Sequence, residues 1–118
     1  MKSYTDLEQS RKLAEILPLD SADMHYATWT ILDSEFIASP NQGSTIENLQ
    51  EDYGNQIIPC WSLSALLSVL PSATLDSSDD HYYRLHCMER FTEWYDNPVD
   101  ACYEMIIKLY ELKLLLVM

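Results

Sequence analysis

The stretch Asn97-Pro98-Val99-Asp100-Ala101-Cys102-Tyr103-Glu104-Met105-Ile106-Ile107-Lys108-Leu109-Tyr110-Glu111-Leu112 decides the reading of this chain. Asn97 can cap the amides of a first turn, and Pro98 falls where a missing N–H removes nothing. Asp100 then meets the positive end of the helix dipole. The polar positions Asp100, Glu104, Lys108 and Glu111 recur at spacings of four, four and three, which predicts one narrow stripe along a helix and a Glu104–Lys108 pair within it. Everything else is apolar, so most of the circumference must be covered by other elements. This is the expected core, closed by a sheet.

Two more helices are expected around it. Thr5-Asp6-Leu7-Glu8 reads as a capping box opening a helix that runs to Leu17, where Pro18 disfavours continuation. Leu7, Leu13, Ala14, Ile16 and Leu17 form its apolar face. Ser62 is a good N-cap for Leu63 to Leu70, with Trp61 positioned to clasp Leu66 as a hydrophobic staple, and Pro71 ends that helix.

Strands are read between them. His81 to Cys87 alternates, with Tyr83, Leu85 and Cys87 on one face and Tyr82, Arg84 and His86 on the other. Past the polar Glu89-Arg90, Phe91-Thr92-Glu93-Trp94-Tyr95 reads as the second arm of a hairpin. Met24 to Ile31 is β-branched and aromatic enough for another strand, with Phe36-Ile37-Ala38 as its partner. Pro40 to Ser44 is turn chemistry, and residues 39–56 are expected to form a long loop or a frayed turn of helix. Leu19 to Tyr26 and Leu75 to Tyr82 match at six of eight positions, which supports strands after both loops. The expected fold is therefore α+β, ordered helix–hairpin–helix–hairpin–helix, with a mainly antiparallel sheet packed on the last helix.

At 118 residues the chain is expected to be a single domain, residues 1–118, with a core that needs no cross-links. Nineteen acidic against 7 basic residues give −12, which argues against direct nucleic-acid binding and against binding to anionic membranes. Met1 to Asp6 lacks the apolar stretch of a secretory signal, and Leu114 to Met118 is too short to span a bilayer. Cys60, Cys87 and Cys102 are odd in number and show no CxxC spacing, so they read as small buried hydrophobes of a reduced, cytoplasmic protein.

At Leu17 to Met24, at Ile58-Pro59-Cys60-Trp61-Ser62-Leu63 and at Tyr95 to Ile106, the chain resembles a family of small uncharacterised proteins from prophages and mobile elements of gut Bacteroidales. The resemblance covers roughly half the chain and is most specific at the asparagine-proline helix start; residues 33 to 56 match nothing in it. It brings no activity, and no catalytic or binding residue is carried over. It implies a bacterial or phage protein acting in the host cytoplasm.

The candidate chemistry is sparse. His81, His86 and Cys87 lie close in sequence, but extended neighbours point to opposite faces and do not share one ion; His25 and His81 could meet only if the two echoed units pair. No catalytic, cofactor or metal residue is therefore assigned. Cys60 is the one thiol left open as a nucleophile, since Cys87 and Cys102 fall on core faces. The acidic loops Asp20 to Asp23 and Asp76 to Asp80 lack the glycine and closing glutamate of a calcium loop. With only Gly43 and Gly54, no phosphate-cradling loop can be built.

Charge distribution says more. Between Lys12 and Arg84 there is no Lys or Arg, while eleven Asp and Glu residues occur, so this segment projects a negative potential. Aromatic residues make up 11% of the chain, and Tyr and Trp offer contact area at low entropic cost. The expected function is non-enzymatic: binding of another protein, of basic character, through an acidic, aromatic-rich surface built from Tyr26, Trp29, Asp76, Asp79, Asp80, Tyr82 and Trp94. Two alternatives stand beside it. One is a small enzyme or ligand binder with a cleft near Trp61, His81 and His86; the other is an acidic DNA mimic that occupies a host DNA-binding protein. The apolar tail Leu114 to Met118 either closes the domain or packs on a second copy as a homodimer.

Overall fold

The computed structural model describes residues 2–27, 36–53 and 57–115. Among the described residues there are four α-helices, α1 (Leu7–Ala14), α2 (Ile46–Tyr53), α3 (Leu63–Val69) and α4 (Pro98–Glu111). The strands are β1 (Met24–Ala27), β2 (Ile37–Pro40), β3 (Ile57–Cys60), β4 (Thr74–Ser77), β5 (Tyr83–Cys87) and β6 (Arg90–Phe91). They form two antiparallel sheets, ordered β2-β1-β3 and β4-β5-β6. The class is α+β with a C-terminal helix.

The anticipated order of elements was too simple, in three places. The single sheet is divided into two. Residues 39–56 hold α2 as well as a loop, with Ile46 buried and the Thr45 hydroxyl accepting from the Asn48 amide at 3.1 Å. β3 and β4 went unrecognised because Ile-Ile-Pro-Cys contains a proline and Thr-Leu-Asp-Ser is too polar for a strand signal.

α4 carries the core as expected. The Asn97 side chain accepts from the Asp100 amide at 2.8 Å, and Val99, Ala101, Cys102, Met105, Ile106 and Leu109 are fully buried. Its cover is shared between β5 and α3 rather than supplied by a sheet alone. The Glu104–Lys108 pair is not formed. Both side chains reach sideways instead: Glu104 accepts from the Glu93 amide at 3.2 Å, and Lys108 Nζ donates to the Phe91 carbonyl at 3.4 Å. The helix ends in a Schellman turn, with the Leu114 amide donating to the Leu109 carbonyl at 2.8 Å and Lys113 in left-handed geometry (φ 59°). That turn folds Leu114 back onto the core, and Leu115 packs there too, so this part of the tail closes the fold; residues 116–118 lie outside the described region.

α1 begins one residue later than anticipated. Asp6, not Thr5, is the N-cap: its carboxylate accepts from the Gln9 amide at 2.8 Å, and the Gln9 side chain accepts from the Asp6 amide at 3.1 Å. The Thr5–Glu8 reading failed because Thr5 is drawn fully inside. Its hydroxyl lies 2.7 Å from that of Ser10 and accepts from the Trp61 amide at 3.2 Å. The helix proper stops at Ala14, and tighter turns bonded to Leu13 carry the chain to Leu17. Ser62 caps α3, accepting from the Ala65 amide at 3.2 Å, and Trp61 and Leu66 lie together in the core as the staple requires.

The echo does not repeat in three dimensions. Leu19–Ser21 is a 3₁₀ turn leading into β1, whereas Leu75 to Ser77 is already strand β4. The matching letters thus fall on different elements in the two places. β1 and β2 pair as expected from Met24↔Pro40 to Ala27↔Ile37, and the remainder of the Met24–Ile31 strand reading falls on residues that are not described.

Lys2 ties the N-terminal segment to α4. Its Nζ donates to Asp100 at 2.8 Å and to Asp6 at 3.1 Å. Burial on its own would raise the Asp100 pKa, but hydrogen bonds from Lys2, Asn97 and Gln9 outweigh it and hold the carboxyl below its usual value. A depressed folded pKa contributes stability above the unfolded value of about 3.9 and loses it as pH falls through the folded one. The urea midpoint is therefore expected to fall more between about pH 6 and pH 3 in the native chain than in Asp100→Asn, and equal slopes would exclude this role.

The β5–β6 connection is a two-residue turn, Met88-Glu89, in which both residues have positive φ (52° and 63°). That is type I′ geometry, which ordinarily takes Asn-Gly because a Cβ is strained there. Replacing Met88-Glu89 with Asn-Gly is expected to raise stability by about 1–2 kcal/mol in urea denaturation.

Candidate functional site

The outward face of the sheet β4-β5-β6 and its margins carry Tyr82, Phe91 and Trp94, three of the five exposed aromatic residues among those described; Tyr4 and Tyr110 lie elsewhere. Leu85 and Cys87 of β5 point inward to α4 and are fully buried, so Arg84 and His86 point outward by the period-two rule. Cross-strand register sets Asp76 opposite Arg84, and His86 between Thr74 and Phe91.

Beyond Phe91 the chain does not continue regularly. The Thr92 amide donates to the Leu85 carbonyl at 3.0 Å, while Tyr83 and Tyr95 exchange both backbone bonds at 2.7 Å each. Two residues, Glu93 and Trp94, thus stand opposite the single residue Arg84. This is a β-bulge. The buried Thr92 side chain stabilises it, its hydroxyl accepting from the Leu85 amide at 2.9 Å and donating to the Glu93 carbonyl at 2.9 Å. Phe91 and Trp94, three apart, would lie on opposite faces of a regular strand; the extra residue brings both rings to one face.

The result is a stacked ladder. His86 lies parallel to Phe91 with centroids 4.2 Å apart and planes 7° apart. The Arg84 guanidinium carbon sits 4.4 Å from the Phe91 centroid and 4.7 Å from that of Trp94. Arg84 Nε donates to Asp76 at 3.2 Å, and among the described residues its terminal nitrogens make no hydrogen bond. Phe91 and Trp94 remain 47% and 44% exposed although their orientation is fixed. Tyr82, 48% exposed, lies one residue ahead of β5 with the same parity as Arg84. Asp79 and Asp80 are exposed in the turn that joins β4 to β5, which is closed by the Ser78 amide donating to the Tyr82 carbonyl at 2.8 Å.

Of the surface anticipated from sequence, Asp76 and Trp94 meet through Arg84, with Tyr82, Asp79 and Asp80 at the same end of the sheet. Tyr26 does not belong to it. It is only 8% exposed, and its hydroxyl donates to the Thr5 carbonyl at 2.7 Å, so it braces the N-terminal segment. Burial raises its pKa strongly. Trp29 lies outside the described residues. Arg84, His86 and Phe91, the middle of the ladder, were not assigned to this surface from sequence. Alternation already placed Arg84 and His86 on the Tyr82 face, but nothing announced the bulge.

The cleft anticipated near Trp61, His81 and His86 is not formed by those three. Trp61 is 0% exposed, with its indole N–H donating to the Ser21 hydroxyl at 2.9 Å. His81 lines an open groove of about 420 Å³ with Lys2, Tyr83, Asp96 and Asn97, while His86 belongs to the ladder. Among the described residues no three His, Cys, Asp or Glu side chains converge as metal ligands. The Cys60 thiol is fully buried, and burial pushes its pKa up despite the nearby Thr5 and Ser10 hydroxyls, an environment unlike the partly exposed, electropositive one of a nucleophilic thiol. Burial pushes Cys102 up to about 12. His25 is also enclosed, with Nδ1 2.9 Å from Asn41 Oδ1. Among the described residues no helix is long and apolar enough to cross a membrane. Comparison with protein-family models, with curated proteins and with solved structures finds no match.

Contacts between a guanidinium and exposed rings contribute about 0.5–1 kcal/mol each. A double-mutant cycle of Arg84→Gln with Trp94→Ala, read by urea denaturation, is expected to give a coupling in that range, whereas additive effects would mean that the stack is incidental.

Proposed function

We propose that this chain is a binding protein that docks another protein through the outer face of β4-β5-β6. The observation that carries the reading is the clamping of Arg84 between Phe91 and Trp94. Large rings held in one orientation yet half open to water lose little freedom when a partner covers them, which is how aromatic and arginine anchors dominate interfaces. The surroundings of the ladder favour a basic partner. Asp79, Asp80, Glu89 and Glu93 are exposed around it, and the one cation on the face is already paired with Asp76. The resemblance of the asparagine-proline helix start to proteins of bacterial mobile elements supports a partner in a bacterial host cytoplasm.

The test is affinity capture from bacterial lysate by the native chain and by Phe91→Ala/Trp94→Ala in parallel. Proteins enriched by the native chain should be lost from the double variant, with circular dichroism unchanged, and should elute as salt rises from about 50 to 500 mM. Equal capture by both chains would refute the assignment of this face.

A further inference from the structure

Strand backbones bond alternately to left and right, so the pattern of hydrogen bonds shows which groups each sheet edge presents. In β2-β1-β3 the Asn41 amide donates to the Asp23 carbonyl at 3.1 Å, which, with the register His25↔Ser39, turns Ala38 and Pro40 outward on β2. The same alternation turns Ile57 and Pro59 outward on β3. Each edge thus carries a proline where an incoming strand needs a donor, a device that blocks pairing. In the second sheet, the Tyr83–Tyr95 exchange lies on one side of β5, so Arg84 and His86 bond to β4. The far margin of that sheet is broken by the bulge. At β4, Leu75 and Ser77 direct N–H and C=O away from β5, there is no proline, and no backbone bond is made on that side among the described residues.

From this we infer that the partner adds a strand to β4, and that the added segment is extended and cationic. The inference rests on the proposed docking role of the adjoining face and specifies its mode. Charge decides the occupant. Asp76 stands on the outer face of β4, and Asp79 and Asp80 follow directly in the exposed turn. Antiparallel pairing of the outward Leu75 and Ser77 with β4 of a second copy would centre on Asp76 and set it directly opposite the same residue of that copy, which like-charge repulsion disfavours. A segment with Lys or Arg at alternate positions instead sets cations beside these carboxylates, while its backbone completes the bonds of Leu75 and Ser77.

The probe is a fluorescent heptapeptide of alternating lysine and valine, titrated into the full chain by anisotropy, beside the same peptide N-methylated on the residues that would donate to β4. Ser77→Pro removes one outward donor without touching the β4–β5 ladder. The unmodified peptide should bind, and should protect the Leu75 and Ser77 amides from hydrogen exchange. Methylation and Ser77→Pro should each weaken binding about tenfold, as expected for one or two lost hydrogen bonds. No binding, equal binding of the methylated peptide, or exchange at Leu75 and Ser77 unchanged by the peptide would overturn strand addition. Should Ser77→Pro unfold, the methylated peptide and the exchange data decide alone. Peptide binding that is lost in Phe91→Ala/Trp94→Ala but indifferent to methylation would overturn the edge and leave the face standing. Failure of lysate capture to depend on those rings strikes the face itself.

Discussion

Enclosure of α4 is the constraint on which the rest of the structure depends. A helix with six fully buried residues cannot stand in water, and β5 and α3 cover it. Once Leu85 and Cys87 are committed to that contact, period two leaves Arg84 and His86 no choice but the outside. The polar stripe of the same helix then acts on the neighbouring strand, because Glu104 and Lys108 bond the backbone at Glu93 and Phe91 on either side of Thr92. Core packing and the aromatic ladder on the outer face are thus connected through a few hydrogen bonds.

How much of this could be read beforehand depended on how local the determining forces were. The α4 start was plain because Asn97, Pro98 and Asp100 act within one turn. The faces of β5 were plain because alternation is a property of the strand alone. Thr5 misled because its fate is set by Ser10, Cys60 and Trp61, the last two far along the chain, and nothing local distinguishes it from a cap. β4 misled because a polar four-residue strand owes its existence to its neighbour.

The candidate site shows the same division. Asp76, Tyr82 and Trp94 were identifiable as exposed strand and loop residues in an acidic, aromatic region. Tyr26 had the same credentials, yet it was taken into the interior by one carbonyl acceptor, that of Thr5. The ladder was hidden for a geometric reason, since the spacing from Phe91 to Trp94 is odd and counts against a shared face until a residue is inserted. A bulge has no motif here; it follows from Thr92 substituting its hydroxyl for a backbone carbonyl.

The prolines at the sheet margins have a consequence for valency. Strand addition becomes unlimited when a molecule offers two open edges, because each arrival exposes another. With Pro40 and Pro59 closing one sheet and a bulge interrupting the other, the described strands leave one place to join. Copies joined through a single edge form a closed pair, so the described strands give no route by which pairing passes from one molecule to a third.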